Sequence, residues 1–255
     1  MIQEFALHRK IASRELAAGL IINCNAPTLT DLAALIGFDF VLFDCEHGPI
    51  GAEAVEGMIR AAYAGGIAPL VRTSSLAPNE ALKFLDIGAI GIMFPQVSSG
   101  ADARRAADAV RFPPRGRRGA APSTRAAEYV AKRPFKDYID AVNTHLLVLP
   151  IIETPSGVEA IDEIAATEGV DVIVIGAVDL ATAMGFSGNR AAPEVIKAVD
   201  RIIAGARKAG KPILMAGATV EQLRQFHDQG ADLVMMALGT WLIPLGQSFL
   251  KAVRT

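Results

Sequence analysis

Short apolar runs alternate along the chain with segments of helical periodicity. Two of these runs, residues 146–152 and 171–177, are apolar at nearly every position, which is typical of parallel strands covered by helices. Between them, Val158, Ile161 and Ile164 recur at helical spacing. The pattern therefore predicts a strand, a helix and a second strand in this part of the chain.

The same alternation continues from end to end. It predicts strands at residues 19–24, 38–46, 68–73, 90–97, 146–152, 171–177, 211–217 and 232–238. It predicts helices at residues 3–18, 27–36, 52–63, 79–85, 100–110, 156–166, 193–208, 220–229 and 240–253.

An α/β fold of the TIM (β/α)8 barrel type is the architecture that this pattern favours, because strands alternate with helices over 255 residues. A doubly wound open sheet is the alternative. It is disfavoured because no G-x-G-x-x-G turn follows the first strand. We expect a single domain over residues 1–255, with a C-terminal helix at about residues 240–253.

One segment, residues 111–143, is too long for an ordinary connection in such a barrel. It is rich in Arg and Lys among prolines and glycines, and Arg117 and Arg118 within it could face substrate, a neighbouring subunit or water. Long segments of this kind are often lids or interface elements. A solvated insertion with a short helix is the alternative.

Composition and charge exclude several classes of protein. The net charge of −2 favours neither nucleic acid nor an anionic membrane as a partner. The N-terminus has no apolar signal core, and no apolar stretch is long enough to cross a bilayer. Cys24 and Cys45 do not form a CxxC motif, no histidine spacing beside them suggests zinc, and we interpret them as two small buried thiols. We therefore expect a cytoplasmic enzyme.

Charged side chains are concentrated at the downstream ends of the predicted strands, where the active sites of such barrels lie. They are Asp44, Glu46, His47, Arg72, Glu153 and Asp179. Two carboxylates on neighbouring strand ends repel each other unless a cation lies between them. We therefore interpret Glu153 and Asp179 as the protein ligands of a divalent metal ion.

Each of these residues also has a structural interpretation. His47 could be a hydrogen-bonded structural histidine, and Arg72 could be a counter-ion for Asp44 or Glu46. Glu153 and Asp179 could form salt bridges to arginines across the barrel mouth. Asp86, near the end of a predicted helix, would then have only a surface role.

Several segments of the chain resemble one known family, and they appear in the same order. They are FDFVLFDCEHGP, PLVRT, KFLDIGAIGIMFPQV, RFPPRGRRG, IIETPSGVEAIDEI and GVDVIVIGAVDLATAMGF. Together they resemble the HpcH/HpaI aldolase/citrate lyase family and, within it, the metal-dependent class II pyruvate aldolases. Those include 4-hydroxy-2-oxoheptanedioate aldolase and 2-keto-3-deoxyglucarate aldolase. The likeness covers nearly the whole chain, and its EHGP and IET…DL motifs are specific.

The resemblance implies a (β/α)8 barrel that assembles as a hexamer, a trimer of dimers whose last helix packs on a neighbour. It implies Mg²⁺, Mn²⁺ or Co²⁺ held by Glu153 and Asp179. It also implies that Arg72 contacts the pyruvate oxygen and that His47 and Asp86 form an acid–base dyad.

The chain departs from the family pattern at three positions. Ile151 stands where the family has Gln beside the metal site. Ala177 replaces a Pro, and Ala181 replaces a Ser. The loss of the Gln amide removes a polar contact next to the metal.

Cleavage of a 4-hydroxy-2-oxo acid to pyruvate and an aldehyde needs a base for the hydroxyl proton and a site that stabilises negative charge. No lysine lies at the strand ends to form a Schiff base, so a divalent metal would stabilise the pyruvate enolate. Arg72 would assist at the same oxygen and His47 would move the proton. The backbone N–H groups of Gly176, Ala177 and Val178 could hold the substrate carboxylate.

Two other functions remain open. The same site could serve a C–C lyase that acts on a CoA thioester, or a decarboxylating C–C synthase, although no nucleotide-binding fingerprint is present. Alternatively, the barrel could bind a metal and an oxo acid without catalysis, an interpretation that Ile151 keeps open.

Overall fold

The computed structural model describes residues 4–254, and within them eight parallel strands close into a barrel in sequence order. The strands are β1 (Ala17–Ile22), β2 (Phe40–Asp44), β3 (Ala68–Arg72), β4 (Gly91–Phe94), β5 (Leu147–Ile152), β6 (Ile173–Ile175), β7 (Ile213–Gly217) and β8 (Leu233–Ala237). Pairing of β1 with β8 completes the closure. The predicted TIM (β/α)8 barrel is therefore confirmed.

Helices surround the barrel and follow the strands. They are α1 (Ala6–Ser13), α2 (Pro27–Ile36), α3 (Ala52–Gly65), α4 (Pro78–Ile87), α5 (Gly100–Val110), α6 (Phe135–His145), α7 (Pro155–Glu159), α8 (Ile161–Ala166), α9 (Ala177–Ala183), α10 (Pro193–Lys208), α11 (Val220–Asp228) and α12 (Leu238–Arg254). A 3-10 helix, Glu128–Val130, lies between α5 and α6.

The core is continuous through the barrel wall. Every residue of β2 and of β5 is buried. Side chains that point inward fill the barrel, and those that point outward pack against the helices. Both faces of a strand are thereby removed from water, which explains why these strands read as unbroken apolar runs.

The first helix is shorter than predicted. Of the predicted residues 3–18, residue 3 lies outside the described residues, and the helix covers Ala6–Ser13. Arg14 ends it in a left-handed conformation with φ of 60°. The next residues join the sheet, because the Ala17 N–H donates to the Asp232 carbonyl and β1 begins at Ala17. Closure of the barrel therefore takes precedence over local helix propensity here.

The sixth strand also differs from its predicted range of residues 171–177. Strand β6 covers Ile173–Ile175 only, and α9 begins at Ala177. The Leu180 N–H donates to the Gly176 carbonyl at 2.9 Å, which is the first helical hydrogen bond. The strand thus changes to helix immediately before the predicted metal ligand Asp179.

The segment 111–143 is more ordered than an open loop. It contains the 3-10 helix and most of α6, whose Tyr138 and Val142 are buried. Within residues 4–254, no helix combines the length and the apolar character that crossing a membrane requires.

Candidate active site

Two adjoining cavities open at the carboxyl ends of the strands. The first, of about 340 Å³, is lined by His47, Arg72, Glu153 and Asp179 together with apolar residues from the barrel interior. The second, of about 280 Å³, shares His47, Glu153 and Asp179 and adds Glu46. Five of the six charged residues predicted at this rim therefore line these cavities, and Asp44 lies directly behind them in contact with Arg72.

Glu153 follows the last residue of β5. That strand pairs with β6 so that Ile152 lies opposite Ile175, which puts Glu153 beside Gly176. The carboxylate is only 6% exposed, and its Oε1 accepts a hydrogen bond of 2.7 Å from the Gln96 backbone N–H. Gln96 has a positive φ of 54°, an uncommon conformation for a residue with a side chain. Strained backbone after β4 therefore directs an N–H group at the Glu153 carboxylate.

Gly176 leaves room beside the same carboxylate. A Cβ atom at this position would lie 2.7 Å from Glu153 Oε2 and 2.7 Å from Glu153 Cβ, closer than atoms normally approach. Any other residue would displace Glu153 or fill the space next to it. The glycine is therefore required by the position of the carboxylate.

Acidic side chains outnumber the cations around Glu153, where the charge of Arg72 opposes those of Glu46 and Asp179. Burial, with the nearby charges of Glu46 and Asp179, raises the pKa of Glu153 to about 7. Burial also raises the pKa of Glu46, although Arg72 and His47 oppose the shift. The cluster thus carries more negative charge than its surroundings neutralise.

Asp179 reaches the cavities from a helix rather than from a strand. It lies in the first turn of α9, where the helix dipole favours an acidic side chain. It lines both cavities with Glu153, and the charges of the two carboxylates interact. The strand end of β5 and the helix start after β6 therefore bring the two predicted metal ligands to one site.

Arg72, at the end of β3, is held by Asp44 at the end of the adjacent strand β2. Nε donates to Oδ1 at 2.9 Å and Nη2 donates to Oδ2 at 2.6 Å. Burial alone would raise the pKa of Asp44, but the hydrogen bonds and charge of Arg72 hold it below its usual value. Arg72 also lies 3.4 Å from Glu46. The counter-ion interpretation of Arg72 is therefore correct, and the guanidinium lines the cavity as well.

His47 lies in the turn after β2. Its backbone N–H donates to Asp44 Oδ1 at 3.2 Å, and its ring Nε2 lies 3.9 Å from Glu46 Oε2. The side chain is 61% exposed. The imidazole is thus in the cavity wall and open to solvent, so it can exchange protons with water.

Asp86 lies away from His47 within one chain. It is in the last turn of α4, and its Oδ1 accepts a hydrogen bond of 2.8 Å from Arg118 Nη2. The Arg118 side chain is fully buried, where it also donates to the Tyr138 hydroxyl at 3.0 Å. Among the residues that the structure describes, no hydrogen bond joins Asp86 to His47. The expected dyad is therefore not formed by contacts within the chain, where Glu46 is the acid nearest to the imidazole.

The backbone N–H groups of Gly176, Ala177 and Val178, which were predicted to hold the substrate carboxylate, are only partly free to do so. The Gly176 N–H donates to the Ile152 carbonyl at 3.1 Å, so it cannot bind substrate as well. Ala177 and Val178 are in the first turn of α9, where N–H groups have no intrahelical acceptor. Only these two residues of the three can offer N–H groups to a ligand.

The donor set fits a hard divalent cation. A buried carboxylate, a second carboxylate at the same cavity and a raised pKa indicate a place where positive charge is stabilising. Within residues 4–254, no three metal-ligating side chains converge, so the protein would supply two ligands, Glu153 and Asp179. Carboxylate oxygens with positions left for substrate and water suit Mg²⁺ or Mn²⁺ better than zinc.

Ile151, at the position that departs from the family pattern, is in the cavity wall. It is 2% exposed and lies opposite Val174 of β6. Its aliphatic side chain provides no hydrogen bond to a ligand. The floor of the first cavity is therefore apolar beside the two carboxylates.

The sequence pattern missed two features of this site. The Gln96 N–H contacts Glu153, and Arg190 lines the first cavity. Gln96 at a strand end was a visible signal, although backbone direction cannot be read from residue type. Arg190 lies in a turn after α9, far from any strand end, and no pattern in the sequence distinguished it.

Comparison with known proteins identifies close relatives of this chain. The HpcH/HpaI aldolase/citrate lyase family matches residues 17–242. A 5-keto-4-deoxy-D-glucarate aldolase of Salmonella arizonae is 33% identical over 224 residues, which cover 88% of this chain and 86% of the relative.

Solved structures agree with these sequence matches. An HpcH/HpaI aldolase/citrate lyase family protein from Burkholderia cenocepacia superimposes with a TM-score of 0.94 at 30% identity, covering 99% of this chain and 100% of the other. The citrate synthase SbnG superimposes with a TM-score of 0.87 at 28% identity, covering 98% of each chain.

Proposed function

The chain belongs to the HpcH/HpaI aldolase/citrate lyase family, and we propose that it is a divalent-metal-dependent class II aldolase, a carbon–carbon lyase that cleaves or forms 4-hydroxy-2-oxo acids. The products of cleavage would be pyruvate and an aldehyde. The observation that carries this proposal is the buried carboxylate of Glu153, which forms no ion pair with another described residue, beside Asp179 in a cavity that also contains Arg72 and His47.

Divalent metal dependence is a general property of the family, and Glu153 and Asp179 are the residues that would hold the ion here. Their oxygen donors support Mg²⁺, Mn²⁺ or Co²⁺. When bound, the ion would supply Lewis-acid stabilisation of the negative charge that develops on the 2-oxo group as an enolate forms.

Arg72 would assist at the same oxygen. Its guanidinium group is oriented by Asp44 through Nε and Nη2, which leaves the Nη1 hydrogens for a ligand. Because the guanidinium is held in position before substrate arrives, it costs little reorganisation when charge develops.

His47 would move the proton. In cleavage, the hydroxyl on C4 loses its proton, the C3–C4 bond breaks, and the C4 oxygen becomes the aldehyde carbonyl. The electrons of the broken bond move to C3 and the 2-oxo oxygen, and protonation at C3 gives pyruvate. The imidazole can accept the hydroxyl proton directly or through water, and Glu46 is the acid that lies beside it. The role of Asp86 in a dyad with His47 stays a prediction that the contacts within one chain do not support.

The substrate carboxylate would lie near the start of α9. Ala177 and Val178 contribute N–H groups there, and both line the first cavity with Asp179. Substrates related to 5-keto-4-deoxy-D-glucarate are candidates, because a relative covering most of the chain carries that name.

Deuterium exchange into pyruvate tests this proposal directly. The protein is incubated with pyruvate in D2O, with and without Mn²⁺ or Mg²⁺, and the methyl signal is followed by NMR. We expect exchange that requires the metal and falls about 100-fold in Arg72→Ala, the typical cost of losing one such donor. The absence of metal-dependent exchange in the wild type would refute the proposal.

A second candidate function is C–C bond synthesis by a related reaction. The observation that favours it is the similarity to the citrate synthase SbnG over nearly the whole chain. A panel that compares aldehydes, oxaloacetate and acyl-CoA thioesters as partners would distinguish it from pyruvate aldol chemistry.

We also propose that the protein is a homo-oligomer, with the hexamer as the expected form. Helix α12 has no buried residue in the single chain, and it exposes Leu242, Ile243, Leu245, Phe249 and Val253. A second copy would remove this apolar surface from water. Sedimentation velocity measures the number of chains in the assembly.

The cytoplasmic location expected from the sequence stays a prediction.

A further inference from the structure

A third cavity of about 430 Å³ adjoins the candidate active site. It lies between the turn after α9, helix α10 and helix α11. Ala177 and Arg190 line both this cavity and the first cavity of the candidate active site, so the two meet at these residues. We name the 430 Å³ cavity the side cavity.

Arg190 carries a positive charge at this junction. Its Nη2 donates to Gln222 Oε1 at 3.3 Å, and Gln222 Oε1 also accepts the Ala218 N–H at 2.9 Å. Among residues 4–254, no carboxylate forms an ion pair with Arg190, although Asp200 also lines the side cavity. The guanidinium is thus half-buried, oriented by a neutral amide and available to an anion.

We infer that Arg190 binds a negatively charged group at the far end of the aldehyde half of the substrate. This inference rests on the proposed aldolase function and adds the residue that would recognise the far end of the second substrate. The side cavity also contains the amide side chains of Asn189, Gln222, Gln225 and Gln229, which suit a polar chain.

Electrostatics determines the direction in which such a group extends. The 280 Å³ cavity on the other side is lined by Glu46 together with Glu153 and Asp179, and no Lys or Arg among residues 4–254 lines it. With Glu153 and Asp179 holding the metal ion, Glu46 would still disfavour an anionic tail there. In the side cavity Arg190 would attract such a tail, and Asp200 is the single acidic residue among the described lining residues. With the oxo-acid half held near Glu153 and Asp179, the side cavity is therefore the favourable place for an anionic remainder.

Matched aldehydes test this assignment. Pyruvate is added to 4-oxobutanoate or to its methyl ester, which has the same chain without the charge, in the presence of Mn²⁺. The kcat/KM of each aldehyde is measured for the wild type, Arg190→Ala, Arg190→Lys and Arg224→Ala. Arg224 is an exposed cation on the same helix as Gln222, and it lines neither cavity.

We expect the wild type to prefer the anion and Arg190→Ala to lose about 10- to 100-fold in kcat/KM for it, mainly through KM, with a much smaller change for the ester. Arg190→Lys should retain part of the preference, and Arg224→Ala should retain all of it. Equal losses on both aldehydes, or no loss, would overturn the assignment.

The pyruvate exchange assay separates the two levels of the proposal. If the wild type exchanges pyruvate protons but Arg190→Ala prefers 4-oxobutanoate over its methyl ester as strongly as the wild type does, only the assignment of Arg190 fails. If Arg190→Ala instead raises the KM of pyruvate in exchange, Arg190 binds the oxo-acid carboxylate and the assignment is wrong. If the wild type does not exchange at all, the aldolase proposal fails and this assignment fails with it.

Discussion

The Arg72 guanidinium donates two hydrogen bonds to the Asp44 carboxylate, which lies opposite it in the pairing of β2 with β3. The pair joins two adjacent strand ends beneath the cavity. Asp44 Oδ1 also accepts the backbone N–H groups of Glu46 and His47 at 3.2 Å each. One buried carboxylate therefore orients the arginine and the turn that carries the histidine.

Replacing Arg72 should affect stability as well as activity. Arg72→Ala leaves Asp44 buried without its cation, and we expect unfolding by urea to become easier by about 3 kcal/mol. Arg72→Ala combined with Asp44→Asn should regain part of that stability, because the unpaired charge is gone. The double variant should still show the roughly 100-fold slower pyruvate exchange of Arg72→Ala. Recovery of exchange together with stability would show that Arg72 acts only as a counter-ion.

The raised pKa of Glu153 predicts how the metal-free protein responds to pH. Burial raises this pKa from 4.5 to about 7, so the folded state binds more protons than the unfolded state between these values. The free energy of unfolding attributable to Glu153 therefore falls as pH rises through this window, by up to about 3 kcal/mol.

Glu153→Gln removes this pH-dependent contribution to the free energy of unfolding, because the glutamine side chain does not titrate. With metal chelated, we expect the Tm of Glu153→Gln to exceed that of the wild type at pH 8 and the difference to shrink towards pH 4.5. Added Mn²⁺ should raise the Tm of the wild type and leave that of Glu153→Gln nearly unchanged. If the difference in Tm between Glu153→Gln and the wild type were the same at pH 8 as at pH 5, the prediction would be contradicted.

Gly176→Ala tests the space beside the carboxylate. The added Cβ would lie 2.7 Å from Glu153 Oε2, so the carboxylate must move. We expect weaker Mn²⁺ binding by calorimetry and pyruvate exchange slower by at least about 10-fold, since small displacements of reacting groups are costly. Gly239→Ala is the matched control, because no atom of the described residues lies within 4 Å of a Cβ at that position. Similar effects in the two variants would argue against a specific role for Gly176.

The ion pair between Asp86 and Arg118 predicts that replacing Asp86 affects stability. The family resemblance predicts instead that the same replacement affects catalysis. Asp86→Ala leaves the fully buried Arg118 side chain without its carboxylate partner. We expect a loss of about 3 kcal/mol in the free energy of unfolding. Exchange by the remaining folded protein should fall much less than in His47→Ala, for which about 100-fold or more is expected.

The double variant of His47 and Asp86 supplies the decisive comparison. If the two residues form one functional unit, the losses in exchange will not add, and either single variant will be as slow as the double. Additive losses would support separate roles. Asp86→Asn, which retains an acceptor for Arg118, should be more stable than Asp86→Ala.

The barrel itself followed from the sequence because the physical cause of each element is local. Apolar runs bounded by polar turns form strands wherever both faces can be covered, and helical spacing places one apolar face of α10 against the barrel. The strand ends then locate the acids, since carboxyl ends of parallel strands meet at one face. The predicted range was least accurate at residues 3–18, and the strand predicted at 171–177 was also too long. In both places hydrogen bonds to distant or following segments decide between strand and helix.

The pairing of charged groups was decided only by the tertiary structure. Arg72 pairs with Asp44 at a sequence separation of 28, Asp86 pairs with Arg118 rather than His47, and the Gln96 N–H reaches Glu153. Residue types and spacing show which charged groups are present, but they do not show where the side chains point. Those directions depend on strand register and on strained turns, which are set when the barrel closes. For the same reason the sequence alone determined a pair of acids at the barrel mouth, whereas the fold decided that Arg190 lies beside them.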